Sequence, residues 1–158
     1  MKDWGKSLLG SIAFYTVLPL FSLPLSFHRM SRFAPWVGLG LGAIVGGVDF
    51  ALQALGAAPL LRSALGVCLW LGLTGGLHLD GAMDTADGLG GTDPQRRLAV
   101  MQDSRSGAFG VMTAIVILLL KTAALTSLQG DRWLSLCLVA GWGRWSQVVA
   151  IARYPYLK

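Results

Sequence analysis

From Ala34 to Leu61 the chain carries one charged side chain, Asp49, and further apolar runs occupy 8–25, 63–79, 107–128 and 133–152. Such runs leave few folding options. In hydrocarbon no water satisfies backbone N–H and C=O groups, so each segment must bond within itself or join a closed barrel. No strand-like alternation suggests a barrel. A span needs about 17–25 residues at a rise of about 1.5 Å each, and the last four runs reach that length. Only 13% of residues are charged, half the roughly 25% of a soluble domain, and mean hydropathy is +0.59. The expected fold is an all-α polytopic membrane helical bundle of four to five apolar segments, a single domain over residues 1–158.

The first run is the exception. Pro19 and Pro24 remove two backbone donors and bias the residues before them away from helix, so it either crosses with a kinked end or lies re-entrant or interfacial. It begins after Met-Lys-Asp-Trp-Gly-Lys and is followed by no A-x-A site, which predicts a retained segment.

Thirteen Lys and Arg against eight acidic residues, all Asp, give a net charge of +5. The basic residues flank apolar runs and form no stripe with interleaved aromatics, which argues for a lipid bilayer as partner and against nucleic acid. With the stretch from Asp80 to Ser106 on the cytoplasmic side, Arg29, Arg32, Arg96, Arg97, Arg105, Arg153 and Lys158 lie inside, and Arg62 and Arg132 lie in outer loops. Lys2 and Lys6 join the inner side if the first run does not cross. Either count favours a cytoplasmic Asp-rich loop in the cell inner (plasma) membrane. Cys68 and Cys137 lie in apolar runs without a metal-site or redox spacing, and read as small buried hydrophobes.

Five of the eight aspartates fall between Asp80 and Asp103. Asp80, Asp84 and Asp87 are spaced i, i+4, i+7, which on a helix puts three carboxylates on one face. Alone they repel one another. A bound Mg²⁺ reverses the sign, because hard cations take carboxylate oxygens and keep coordination positions for substrate phosphates. Solvated surface aspartates would keep mixed company with Glu and Lys, which this stretch lacks. The spacing is not that of an EF-hand. Thr92-Asp93-Pro94 then reads as a helix start, with Asp93 as N-cap and a short helix from Pro94 to about Gln102.

The second constellation is Met101-Gln102-Asp103-Ser104-Arg105-Ser106-Gly107-Ala108-Phe109-Gly110. Arg105 offers a fork suited to phosphate. Ser104, Ser106 and Gly107 open the next helix, whose free N–H groups form an anion site. Asp103 either joins a metal shell or orients Arg105. An ordinary N-cap with a topology-setting arginine is the plain alternative, and the neighbouring Asp cluster tips the balance toward phosphate. His78, two residues before Asp80, is a candidate substrate-binding residue or a structural histidine. Asp49, Lys121 and Arg144 are charges inside apolar runs, which is costly and usually purposeful. Lys121 has the reach to snorkel outward. Arg144, in mid-run, should face the bundle interior and pair with a carboxylate or a phosphate.

The string Gly75-Gly76-Leu77-His78-Leu79-Asp80-Gly81 through Asp84-Thr85-Ala86-Asp87-Gly88-Leu89, followed by Met101 through Gly110, resembles cobalamin synthase, also called adenosylcobinamide-GDP ribazoletransferase. The likeness extends to Pro19, the Gly-rich second run, Gly143-Arg144-Trp145 and Arg153-Tyr154-Pro155-Tyr156. It implies a polytopic inner-membrane enzyme of cobalamin biosynthesis. Adenosylcobinamide-GDP and α-ribazole or α-ribazole 5′-phosphate would be its substrates, GMP its leaving group and Mg²⁺ its cofactor. On that reading Asp80, Asp84 and Asp87 hold the metal, His78, Ser104, Arg105 and Arg144 bind substrate, and Asp87, Asp103 and Arg105 are the catalytic candidates. A homo-oligomer is compatible with it. Two features depart from the family pattern. Gln102 stands where a Lys commonly precedes Asp-Ser-Arg, and family members usually continue with further apolar spans, so the chain is expected to be the N-terminal part of a longer family domain. Rival readings are a CDP-alcohol-type phosphotransferase, whose Ala-Arg after Asp-Gly is missing at Ala82-Met83, a transporter using Asp49, Lys121 and Arg144 as a relay, and a non-catalytic membrane subunit.

Overall fold

Three glycines one helical turn apart decide how the bundle closes. Gly38, Gly42 and Gly46 line one face of α2 (Ala34–Ala54), and that face lies against α7 (Arg132–Arg153). A Cβ at Gly42 would sit 2.6 Å from the Cα of Cys137, and one at Gly46 would sit 2.7 Å from Cδ1 of Trp133. Small residues at this spacing let backbones approach closely, which is how helices associate where lipid removes the hydrophobic drive. Val37, Leu41 and Val45 interleave with the glycines and are buried, as are Leu136, Cys137 and Ala140 across the seam.

The computed structural model describes residues 3–20 and 23–155, and all regular structure among them is helical. The remaining helices are α1 (Asp3–Tyr15), α3 (Pro59–Thr74), α4 (Leu77–Leu89), α5 (Pro94–Met101) and α6 (Ala108–Ser127), with a 3₁₀ turn at Met30–Phe33. Among the described residues, three helical stretches are long and apolar enough to cross a membrane: Met30–Ala54, Ala108–Ser127 and Arg132–Arg153. The α3–α4 pair adds a fourth if it counts as one broken span.

The run from Ala34 to Leu61 is not one helix. It ends at Ala54, turns through Gly56 at φ 77°, and restarts at Pro59. The next run breaks at Gly75 and Gly76, both at positive φ (62° and 72°), where α4 leaves α3 at 89°. Two consecutive left-handed residues suit glycine alone. As a consequence Asp80, Asp84 and Asp87 stand on a helix rather than in the expected loop, and only short connections around 90–93 and 102–107 remain irregular.

α1 has 13 residues, about 20 Å at helical rise and short of the roughly 30 Å hydrocarbon core. The chain then doubles back along it: Ser26 N–H donates to Lys6 O at 3.0 Å and Ser7 Oγ to His28 O at 2.9 Å. Residues 26–28 thus return beside the start of α1, which puts Lys6 at the same end as Arg29 and Arg32. The guanidinium of Arg32 lies 4.6 Å from the Trp4 ring centre. Phe21 and Ser22 of that run, and Lys2, Tyr156 and Lys158, lie outside the described residues.

Asp49, 4% exposed, receives forks from two arginines. Arg62 donates through Nε (3.3 Å) and Nη2 (2.5 Å), and Arg132 through Nε (3.1 Å) and Nη2 (2.8 Å). Arg132 also reaches Ser63 Oγ and the Leu125 carbonyl, and Arg62 reaches Gln53, so one carboxylate ties α2, α3, α6 and α7 together. Arg62 and Arg132 are thus partners inside the bundle, not loop residues. Asp49 pairs with neither Lys121 nor Arg144, so the three-residue relay of the transporter reading is not formed. Cys137 is buried as expected, whereas Cys68 faces out of the bundle. Trp142 and Trp145, both exposed, face outward and stack edge to face.

Candidate active site

The Gly75–Gly76 break swings α4 across the end of the bundle, where it packs on α5 and α6. Asp80, Asp84 and Asp87 fall on one side of α4 by their spacing. Asp80 is exposed and Asp84 half-buried. Asp87 turns toward α6, accepting from Gly107 N–H at 2.7 Å on Oδ2 and from Gly110 N–H at 2.8 Å on Oδ1. These are the amides that the sequence leaves free for an external anion. They are taken by Asp87, a carboxylate serving as cap to a helix twenty residues further on. Both glycines are required, since a Cβ at either would lie about 3 Å from the Asp87 carboxyl carbon (2.8 Å at Gly107, 3.1 Å at Gly110).

α5 forms where the sequence predicts. The Asp93 carboxylate accepts from Arg96 N–H at 2.9 Å and Pro94 occupies the first turn. It folds back on α4 because Gly88 leaves room for Met101, whose Cγ would be 2.6 Å from a Cβ there. Arg97 Nε closes the connection on the Gly91 carbonyl at 3.1 Å.

The chain then delivers Asp103 and Arg105. Arg105 Nε lies 3.1 Å from both carboxylate oxygens, Nη2 lies 2.6 Å from Oδ2, and Arg105 N–H donates to Oδ1 at 3.1 Å. The guanidinium is held along one edge and its side chain is 87% exposed. The Arg105 side chain, then its backbone N–H, lower Asp103 to about 2, and Asp103 in turn raises Arg105. Asp103 orients Arg105, one of the two roles open to it from sequence. Ser104 is exposed beside it.

His78 is exposed in the first turn of α4, and Arg144 is buried on α7 at 2% exposure, interior as expected but without a carboxylate partner among the described residues. Among the described residues no three His, Cys, Asp or Glu side chains converge closely enough to hold a metal ion. Asp80 and Asp84 nevertheless supply the donor set Mg²⁺ uses, one or two carboxylates with the remaining positions left to water and phosphate. Each Asp87 oxygen also keeps one lone pair beyond its N–H bond.

Sequence reasoning did not find the clasp between Asp87 and α6, nor the place of Trp70 beside Lys121 and Arg144. For the clasp a signal existed in Gly107 and Gly110, glycines at a helix start with no turn to require them. Trp70 carries no such signal.

Membrane-length helices closed by a glycine seam, with a carboxylate row and an exposed arginine at one end, define an all-helical integral membrane protein. The family model for cobalamin-5-phosphate synthase matches residues 7–158, and the chain belongs to that family. An adenosylcobinamide-GDP ribazoletransferase of Trichormus variabilis is 59% identical over 153 residues, covering 96% of this chain and 61% of the relative. Proteins of the same name from Thermosynechococcus vestitus and Synechococcus elongatus are 55% and 58% identical, each over 100% of this chain and over 65% and 63% of their own lengths. The chain thus spans about three fifths of the length of these curated relatives. No solved structure matches it.

Proposed function

We propose that the chain carries the phosphate-binding part of an adenosylcobinamide-GDP ribazoletransferase, which joins GDP-activated adenosylcobinamide to α-ribazole or its 5′-phosphate with release of GMP. The observation that carries this reading is the Asp87 clasp. By gripping Gly107 and Gly110 it fastens the connection bearing Arg105 to the helix bearing Asp80 and Asp84. A carboxylate row and an exposed guanidinium side by side suit a diphosphate.

Asp80 and Asp84 are the proposed holders of Mg²⁺, with the spare lone pairs of Asp87 as a third contact. When bound, the ion offsets negative charge on the diphosphate and on departing GMP. Arg105 pairs with non-bridging oxygens through its fork. The reaction is one displacement at the phosphorus nearer the corrinoid. A ribazole hydroxyl oxygen bonds to it, its bond to the GMP oxygen breaks, and the hydroxyl proton passes to a carboxylate.

Asp103 and Asp87 are the acceptor candidates, and both are occupied in this structure. Asp103 is too acidic to accept a proton while Arg105 grips it. If a phosphate draws Arg105 away, its carboxylate regains basicity at the moment of need, which favours Asp103. His78 and Ser104 are proposed substrate contacts at the rim, and Arg144 one from within the bundle. The acidic end is assigned to the cytoplasmic side of the inner membrane, because Lys6, Arg29, Arg32, Arg96, Arg97 and Arg105 are otherwise on the wrong face.

The test is GMP release from adenosylcobinamide-GDP and α-ribazole by the purified protein with Mg²⁺. Inversion at phosphorus and loss of turnover in Asp84→Asn, with normal membrane insertion, are the expected results. Net retention, or near-normal turnover in Asp84→Asn, overturns the scheme.

A further inference from the structure

Arg144 is the least explained charge in the molecule. Among the described residues its buried Nε and Nη2 have no hydrogen-bond partner, and Nη1 reaches only the Ala140 carbonyl of its own helix at 3.3 Å. Its stem passes through the gap left by Gly38, where a Cβ would lie 2.8 Å from Arg144 Cδ. This placement is built, not accidental. An arginine keeps its charge, and an unpaired charge inside a bundle costs several kcal/mol, on the order of a whole protein's stability.

The neighbouring charged groups repeat the sign. Arg144 Cζ lies 6.0 Å from the Trp70 ring centre and Lys121 Nζ lies 5.8 Å from the same ring. Asp49, Asp103 and their arginines are paired elsewhere. Lys121 and Trp70 also line a cavity of about 290 Å³, walled apart from Ser135 by apolar side chains such as Leu79, Leu118 and Leu136. A lysine in the wall of a largely apolar chamber, with a second cation on the same tryptophan, matches a ligand with an anionic head and an apolar body.

We propose that Arg144 and Lys121 form a second phosphate-binding site beside Trp70, distinct from the Arg105 loop, for the phosphoryl group of an amphipathic molecule whose apolar part enters the cavity. The choice of phosphate as the anion rests on the reading above, while the geometry stands without it. The source is either the soluble diphosphate substrate or an anionic phospholipid headgroup, and the two are separable.

The purified chain in neutral detergent is titrated with inorganic pyrophosphate and, separately, with short-chain phosphatidylglycerol, with a phosphate-free glycolipid as control. Binding is followed by native mass spectrometry. In the Arg105→Gln background, which removes the loop guanidinium assigned above to a diphosphate, one bound anion per chain is expected in one arm, weakened about tenfold or more when Lys121→Met or Arg144→Gln is added. Saturation in the pyrophosphate arm assigns the site to soluble substrate, and saturation in the phosphatidylglycerol arm assigns it to lipid. No binding in either arm, binding indifferent to Lys121→Met, or binding seen in the wild-type chain and lost with Arg105→Gln alone overturns the proposal. The last of these leaves the Arg105 reading standing, whereas loss of GMP release in Asp84→Asn bears on that reading alone. Lys121 is exposed, so its variant carries the test if Arg144→Gln does not fold.

Discussion

Asp87→Asn separates positioning from chemistry. The carboxylate accepts two N–H groups at the start of α6, at 2.7 and 2.8 Å. Hydrogen bonds to a charged group contribute about 1.5–3 kcal/mol each, and negative charge at a helix N-terminus adds about 0.3–1 kcal/mol. Asparagine keeps one acceptor oxygen at neutral strength and turns an NH₂ donor toward the other N–H. The expected loss is about 2–4 kcal/mol, concentrated at the joint between α4 and α6. A 2 kcal/mol loss corresponds to about 30-fold faster amide exchange at Gly107 and Gly110 by local opening, at about 1.36 kcal/mol per decade. The assay is hydrogen exchange in detergent micelles beside an unfolding midpoint. Gly110→Ala should reproduce the change from the other side, since its Cβ would lie 3.1 Å from the Asp87 carboxyl carbon. If Asp87→Asn leaves exchange and midpoint at wild-type values while abolishing turnover, the clasp is incidental and Asp87 belongs to the chemistry.

Three further outcomes follow. Asp103 is depressed to about 2, so the stabilisation it lends the loop is present above the ordinary carboxylate value of about 3.9 and is lost only as pH falls through about 2. Arg105→Gln should return Asp103 to the ordinary range, read by ¹³C NMR of its carboxyl carbon, and an unmoved titration would show that Arg105 is not the cause. Asp49→Asn leaves two buried guanidiniums without their counter-charge and should destabilise the bundle by about 3–5 kcal/mol, measured by unfolding in mixed micelles, and a wild-type midpoint is the contrary result. Gly42→Val forces α2 from α7, because even a Cβ would be 2.6 Å from Cys137 Cα, and should cost at least about 1–3 kcal/mol, whereas the same change at Gly40, which has nothing within 4 Å, should cost far less.

What the sequence made legible was local. Asp93 and Pro94 announce α5 because capping chemistry acts within three residues, and they place its start correctly. The mid-run position of Arg144 predicts an interior side chain, since its stem is too short to reach either membrane surface. What stayed hidden was pairing across distance. Arg62 and Arg132 count as loop cations until Asp49 is seen to accept from both, Arg132 across a separation of 83 residues. The glycine row on α2 is plain in the sequence, yet nothing nearby says that α7 lies against it. Gly75 and Gly76 look like ordinary flexible residues, and their positive φ turns an expected loop into a helix set across the bundle end.

These long-range contacts also divide the charges into three kinds with separate consequences. Asp49, Arg62 and Arg132 are mutually satisfied, so they lock four helices and offer nothing to a ligand. Asp103 and Arg105 satisfy each other in the open, where a phosphate can exchange for the carboxylate at little desolvation cost. Arg144 and Lys121 share the face of Trp70 and have no carboxylate among the described residues, and Arg144 keeps Nε and Nη2 buried without a partner there. A buried unpaired cation is stable only if something completes it, so the unmet charge of Arg144 beside Trp70 marks where the folded protein has most to gain from a bound anion.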